Sequence, residues 1–182
     1  MREKILFNAD WFFHKGEIEE GLPKDKGPIY HQAKTEHKIW GPASMYFHDK
    51  ADDYTSKKDH NCLKWEVVDL PHDYIIQQEP KEENNNTLGY FKYENAWYRK
   101  HFTLPKTDDG KRIVIFFEGI ATHAEVFLNG CPLKRNFCGY TSFEVDITDI
   151  VRFDEDNVLA VHVIATEHEG WWYEGSGIYR DV

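Results

Sequence analysis

Residues 123–130 read HAEVFLNG. Ala124, Val126 and Leu128 fall on one side of an extended chain, because side chains alternate along a strand. Asn129 and Gly130 follow. Both tolerate positive φ, so the pair predicts a tight hairpin turn. Upstream, residues 111–118 (KRIVIFFE) set Ile113, Ile115 and Phe117 against Val114, Phe116 and Glu118. Both faces are largely apolar, which predicts a strand in the centre of a sheet. Residues 96–104 (AWYRKHFTL) predict a further strand, ended by Pro105 and the turn Asp108-Asp109-Gly110. Residues 65–70 (WEVVDL) predict an extended segment that stops at Pro71, and residues 11–14 (WFFH) a short aromatic strand. Downstream, residues 142–147 predict a short strand and residues 158–164 (VLAVHVI) a buried one, with a turn at residues 154–157. Long helical patterns are scarce. Evenly spaced strands and hairpin turns predict an all-β fold, an antiparallel β-sandwich. Strand spacing alone leaves a jelly roll and an immunoglobulin-like sandwich both open.

The 182 residues suffice for one domain over residues 1–182. Residues 15–62 are polar and rich in glycine and proline, and they predict an irregular insertion. So long a stretch without structure is uncommon in a compact domain, so short strands or a helical turn are expected near Ile39-Trp40 and Met45-Tyr46-Phe47. Residues 79–86 (EPKEENNN) predict a polar loop.

Composition narrows the function. Net charge is −10, from 32 acidic and 22 basic residues. A phosphate-binding surface needs the opposite sign, so nucleic acid is not an expected partner. No apolar run reaches the roughly 18–20 residues of a membrane helix, and no secretion signal is expected in the charged start of the chain. Three cysteines, Cys62, Cys131 and Cys138, do not form a disulfide framework and predict a reducing, cytoplasmic setting. Ten histidines are present, but His60 with Cys62 and Cys131 with Cys138 lack zinc spacings, so no metal residue is assigned. No cofactor is expected. Acidic loops leave room for a structural sodium or calcium ion, although no loop matches a defined calcium pattern. Six Trp, ten Tyr and twelve Phe fit a sandwich core and also fit a surface that stacks on sugar rings.

Six segments, in order, resemble the N-terminal domain of family 2 glycoside hydrolases, above all the β-galactosidases. They are residues 7–13 (FNADWFF) and 65–73 (WEVVDLPHD); Gly89-Tyr90 with 97–102 (WYRKHF); and 117–120 (FEGI) with 124–130 (AEVFLNG). They continue with 139–143 (GYTSF), 146–148 (DIT) and 157–161 (NVLAV), and close with 172–180 (WYEGSGIYR). The resemblance covers nearly the whole chain except residues 15–62. It implies a jelly-roll, galactose-binding-like sandwich. It also implies a longer polypeptide, with an immunoglobulin-like sandwich and a (β/α)₈ barrel downstream, that works as a homo-oligomer on a β-galactoside or related sugar. Residues 175–182 are read as a cut at a domain boundary.

Retaining glycoside hydrolysis needs two carboxyl groups about 5–5.5 Å apart, and the family takes both from the barrel. No residue of this chain is therefore assigned a catalytic role. Paired acids such as Glu19-Glu20, Asp52-Asp53 and Glu82-Glu83 are read as solvated faces. The resemblance implies that loops of this domain can reach the sugar. Candidates are Tyr93, Glu94 and Asn95, as polar partners for hydroxyls, and Trp171 as a stacking face. Trp171 stands where relatives commonly carry Arg or Asp, so a metal role at that position does not carry over. His72 and Asp73 are read as fixing a corner, and Trp172, Tyr173 and Arg180 as contacts to a neighbouring domain. A free-standing carbohydrate-binding module, a purely structural interface domain, and a domain of a β-glucuronidase or β-mannosidase remain as alternatives.

Overall fold

The computed structural model describes residues 3–18, 41–45, 47, 65–166 and 174–182. Within them lie eight strands: β1 (Trp11–Lys15), β2 (Glu66–Val68), β3 (Ala96–Phe102), β4 (Val114–Phe117), β5 (His123–Leu128), β6 (Cys131–Asn136), β7 (Phe143–Asp146) and β8 (Asn157–Ile164). Six form a sheet in the order β2-β1-β3-β8-β5-β6, and β4 pairs with β7 in a second sheet. All strand pairs are antiparallel. The inward residues of both sheets share one core: Trp11, Phe13, Tyr98, Val126, Val161 and Val163 from the first, Ile115, Phe117, Phe143 and Val145 from the second. The fold is an antiparallel β-sandwich, as the sequence predicts. Each such side chain, removed from water, contributes about 1.5–3 kcal/mol.

The hairpin after β5 forms at Asn129 and Gly130, with φ of 51° and 83°. The buried Asn129 side chain adds a tie: its Oδ1 accepts from Val158 N and its Nδ2 donates to Asn157 Oδ1, both at 2.9 Å. Pro132 sits in the edge strand β6, where its missing N–H breaks no interior ladder.

The prediction that residues 111–118 form a central strand is corrected. β4 belongs to the two-stranded sheet, and its outward Phe116 is 40% exposed. The central pair of the large sheet is β3 and β8. Alternation of apolar residues reports that a strand could be covered on both faces, not whether a second layer covers it.

The outer face of the large sheet is covered locally. Ile18, Ala43, Phe47 and Trp65 pack with Trp97, Phe127 and Ala160. Arg99, fully buried on this face, donates to the carbonyls of Pro42, Ser44 (2.8 Å) and Phe47 (3.2 Å). Three backbone acceptors thereby satisfy a charge that would otherwise be costly to bury. Most of the predicted insertion, including Ile39, Trp40 and Tyr46, lies outside the described residues. At residues 41–45 the chain turns, with Ser44 N donating to Gly41 O at 3.0 Å, and Phe47 N donates to Ser44 O at 3.3 Å.

Candidate functional site

One end of the sandwich is organised by two segments distant in sequence, residues 71–76 and 174–178. His72 N donates to Ile178 O at 2.8 Å, and Tyr74 N to Ser176 O at 3.0 Å. Asp73 Oδ1 accepts from Ile75 N (2.9 Å), Ile76 N (3.3 Å) and Ser176 N (3.1 Å). His72 Nδ1 lies 2.8 Å from Tyr98 Oη. Burial lowers the His72 pKa against the pull of the Asp73 charge, and burial raises that of Tyr98 well above its usual value. Both shifts favour the uncharged forms, and Tyr98 Oη also lies 3.4 Å from His72 O, so the phenol is held against both the ring and the backbone of His72.

The Gly-Ser-Gly turn fits around these groups. A Cβ on Gly175 would fall 1.9 Å from Asp73 Oδ2. A Cβ on Gly177, at φ +132°, would meet His72 O at 2.3 Å and Tyr98 Oη at 2.6 Å. Ser176 Oγ donates to Ala121 O at 2.8 Å and lies 3.0 Å from Tyr74 Oη, whose own proton goes to Glu94 O at 2.6 Å. Burial raises the Tyr74 pKa, which keeps that proton in place.

The residues expected near the sugar occupy defined bonds. Asn95 Nδ2 donates to Glu17 Oε1 at 2.5 Å, and its Oδ1 accepts from Ala165 N at 2.9 Å. Its amide ties the exit of β1 to the end of β8. The Glu94 carboxylate lies 2.8 Å from Lys92 Nζ and 3.5 Å from Lys15 Nζ. Partial burial raises its pKa, but the two lysines outweigh this and the net shift is downward. Tyr93 donates its hydroxyl proton to Glu174 O. Trp171, Trp172 and Tyr173 lie outside the described residues. Arg180 is exposed, with its guanidinium carbon 5.2 Å from the centre of the Tyr179 ring.

Two concavities flank Tyr140. A cleft of about 110 Å³ is bounded by Asp73, Thr122, Glu174 and Tyr179, and Tyr140 donates to Glu174 Oε1 at 2.7 Å across its rim. A wider groove of about 440 Å³ opens on the other side of the ring. Sequence reading did not single out Tyr140, Glu174 or Ser176. All three stand within quoted motifs, but nothing in those motifs says that Glu174 meets Tyr140 or that Ser176 meets Ala121. Among the described residues, no group of three or more His, Cys, Asp or Glu is placed to hold a metal ion.

Comparison with known proteins places this arrangement. Residues 64–174, more than half of the chain, match the family described as glycosyl hydrolase 2 galactose-binding domain-like. A β-galactosidase of Bacteroides ovatus, BoGH2A, is 38% identical over 184 residues, spanning 100% of this chain and 18% of that protein. A β-glucuronidase of Formosa agariphila is 33% identical over 144 residues, 68% of this chain and 14% of that protein. The crystal structure of a β-glycosidase from Bacteroides vulgatus superposes with a TM-score of 0.75 at 29% identity, covering 99% of this chain and 20% of the other. The chain thus spans a fifth or less of each of these proteins. With its sandwich and its paired LPHD and GSGIYR segments, the chain belongs to the galactose-binding-like domain family of the family 2 glycoside hydrolases.

Proposed function

We propose that this chain serves as the non-catalytic N-terminal domain of a larger retaining glycoside hydrolase acting on β-galactosides. The observation that carries this reading is identity along the full chain to a β-galactosidase more than five times its length. In this reading the catalytic carboxyl pair lies in a downstream barrel. The sandwich supports that barrel and shapes the approach to its pocket. The joint of residues 71–76 and 174–178 suits such work, since a buried, fully bonded network holds its surface in one geometry. Identity to a β-glucuronidase at 33% makes a glucuronide the second substrate to test. A homo-oligomer in the cytoplasm completes the proposal. The free thiols of Cys131 and Cys138 are compatible with a reducing compartment.

The test is a panel of nitrophenyl glycosides, applied to the 182-residue chain and to the longest open reading frame that contains it. The expected result is β-galactoside turnover by the longer protein and none by the chain. Turnover by the chain that is abolished by replacing one of its own carboxylates would overturn the reading.

A further inference from the structure

We infer that residues 5–8 form a platform on which the polypeptide that follows Val182 is seated, with Asn8 as its latch. The inference rests on the reading above that the polypeptide continues past Val182.

Three observations carry this. The first is that residues 177–182 run as a ribbon bonded on both sides. On one side Ala121 N donates to Gly177 O at 3.0 Å, Gly177 N returns a bond to Ala121 O at 2.9 Å, and Glu118 N donates to Asp181 O at 3.0 Å. On the other side His72 N donates to Ile178 O at 2.8 Å and Phe7 N to Val182 O at 2.7 Å. Passages between domains are commonly exposed linkers that few contacts cross. Here Val182 is still paired, so the chain is led away in a set direction, alongside the residues that precede Phe7.

The second is the Asn8 side chain. Its Oδ1 accepts from Val182 N at 3.0 Å, and its Nδ2 donates to Asp181 Oδ1 at 2.8 Å. One amide thus holds two consecutive residues of the ribbon, 173 and 174 positions along the chain. The latch is itself anchored. Asn8 O accepts from Leu70 N at 2.9 Å, and Phe7 O accepts from Trp11 Nε1 at 2.8 Å. The Phe7 ring packs edge-on against Trp11 and Phe102.

The third is an uncovered apolar step beside the latch. Ile5 and Leu6 are each 71% exposed, although Phe7, the next residue, is packed against the core. Two adjacent large aliphatic side chains in water mark a surface that suits an apolar partner. The bond from Phe7 to Val182 brings the outgoing chain to that step. The occupant is therefore an apolar face of the segment or domain that follows Val182.

The latch is tested in the 182-residue chain by the backbone order parameter of Val182. A value of about 0.85 should fall below about 0.6 in Asn8→Ala. Asn8→Asp keeps the shape but sets a carboxylate against that of Asp181, and it should free Val182 in the same way at pH 7. A disordered Val182 in the parent, or an ordered one in both variants, overturns the latch. The platform is tested with Ile5→Ser and Leu6→Ser combined. The urea midpoint of the 182-residue chain should not change, because both side chains are already in water. In the longest open reading frame that contains the chain, protease cleavage just beyond Val182 should become about tenfold faster. Equal cleavage rates there overturn the platform. Neither readout uses turnover. If the longer protein hydrolyses galactosides and cleavage is unchanged, only the platform is overturned. If cleavage is faster and no glycoside is turned over, only the enzyme reading is overturned.

Discussion

Asp73 and Ser176 lie 103 residues apart and are joined by a hydrogen bond of 3.1 Å from the Ser176 N–H to the Asp73 carboxylate. The same carboxylate's other oxygen occupies the space where a Gly175 Cβ would stand. Two of the six segments that carry the family resemblance are thus two halves of one joint.

Gly175→Ala should destabilise the domain by about 2–4 kcal/mol, because a methyl group would displace the Asp73 carboxylate from the N–H groups it accepts from. Asp73→Ala alone should cost about 2–3 kcal/mol, because the part-buried N–H groups of Ile75 and Ser176 lose their acceptor. The double variant should be more stable than the sum of the two losses predicts, since the clash is absent once the carboxylate is gone. Urea denaturation of the four proteins measures the coupling. Strict additivity would show that the two groups do not compete for the space.

Arg99→Met should cost about 3–5 kcal/mol, because the carbonyls of Pro42, Ser44 and Phe47 then lose a shared donor. Limited proteolysis should cut the Arg99→Met protein near residues 41–47 faster than the parent. Equal cleavage rates would show that apolar packing alone holds this cover.

Stability should fall as pH drops below about 6.5, partly through His72. Its folded pKa is depressed by burial, so its contribution is complete above the unfolded value and is lost as pH falls through the folded one. His14, also lowered by burial, acts with the same sign. His72→Gln should flatten the stability profile below pH 6.5 relative to the parent, read by urea midpoints. An unchanged slope would assign the acid sensitivity elsewhere.

Asp146 should titrate at about 2, held down first by the Thr148 hydroxyl and backbone N–H and then by Arg112. Thr148→Val should raise that midpoint toward the ordinary carboxylate value, as measured by carbon NMR of the side chain. The sign follows from linkage: the contribution is present above the unfolded pKa and disappears as pH falls through the folded one.

Strand positions were readable because they depend on neighbours in the chain. Alternation over residues 123–128, the turn-forming pair Asn129-Gly130 and the stop at Pro71 act within a few residues. β6 was less visible, since CPLKRN carries no regular apolar alternation and takes its strand geometry from pairing with β5.

The all-β class, the main strands and the family are legible along the chain, because periodicity, turn chemistry and motif order are properties of local spacing. Tertiary structure alone decided that β4 leaves the large sheet and shows Phe116 to solvent. It also decided that Asn95 and Glu94 bond within the domain, and that Asp73, Tyr98 and Ser176 meet at one end. These outcomes depend on which distant segments pack together. A pattern that repeats every two residues says which side a residue faces, and nothing about what stands on that side.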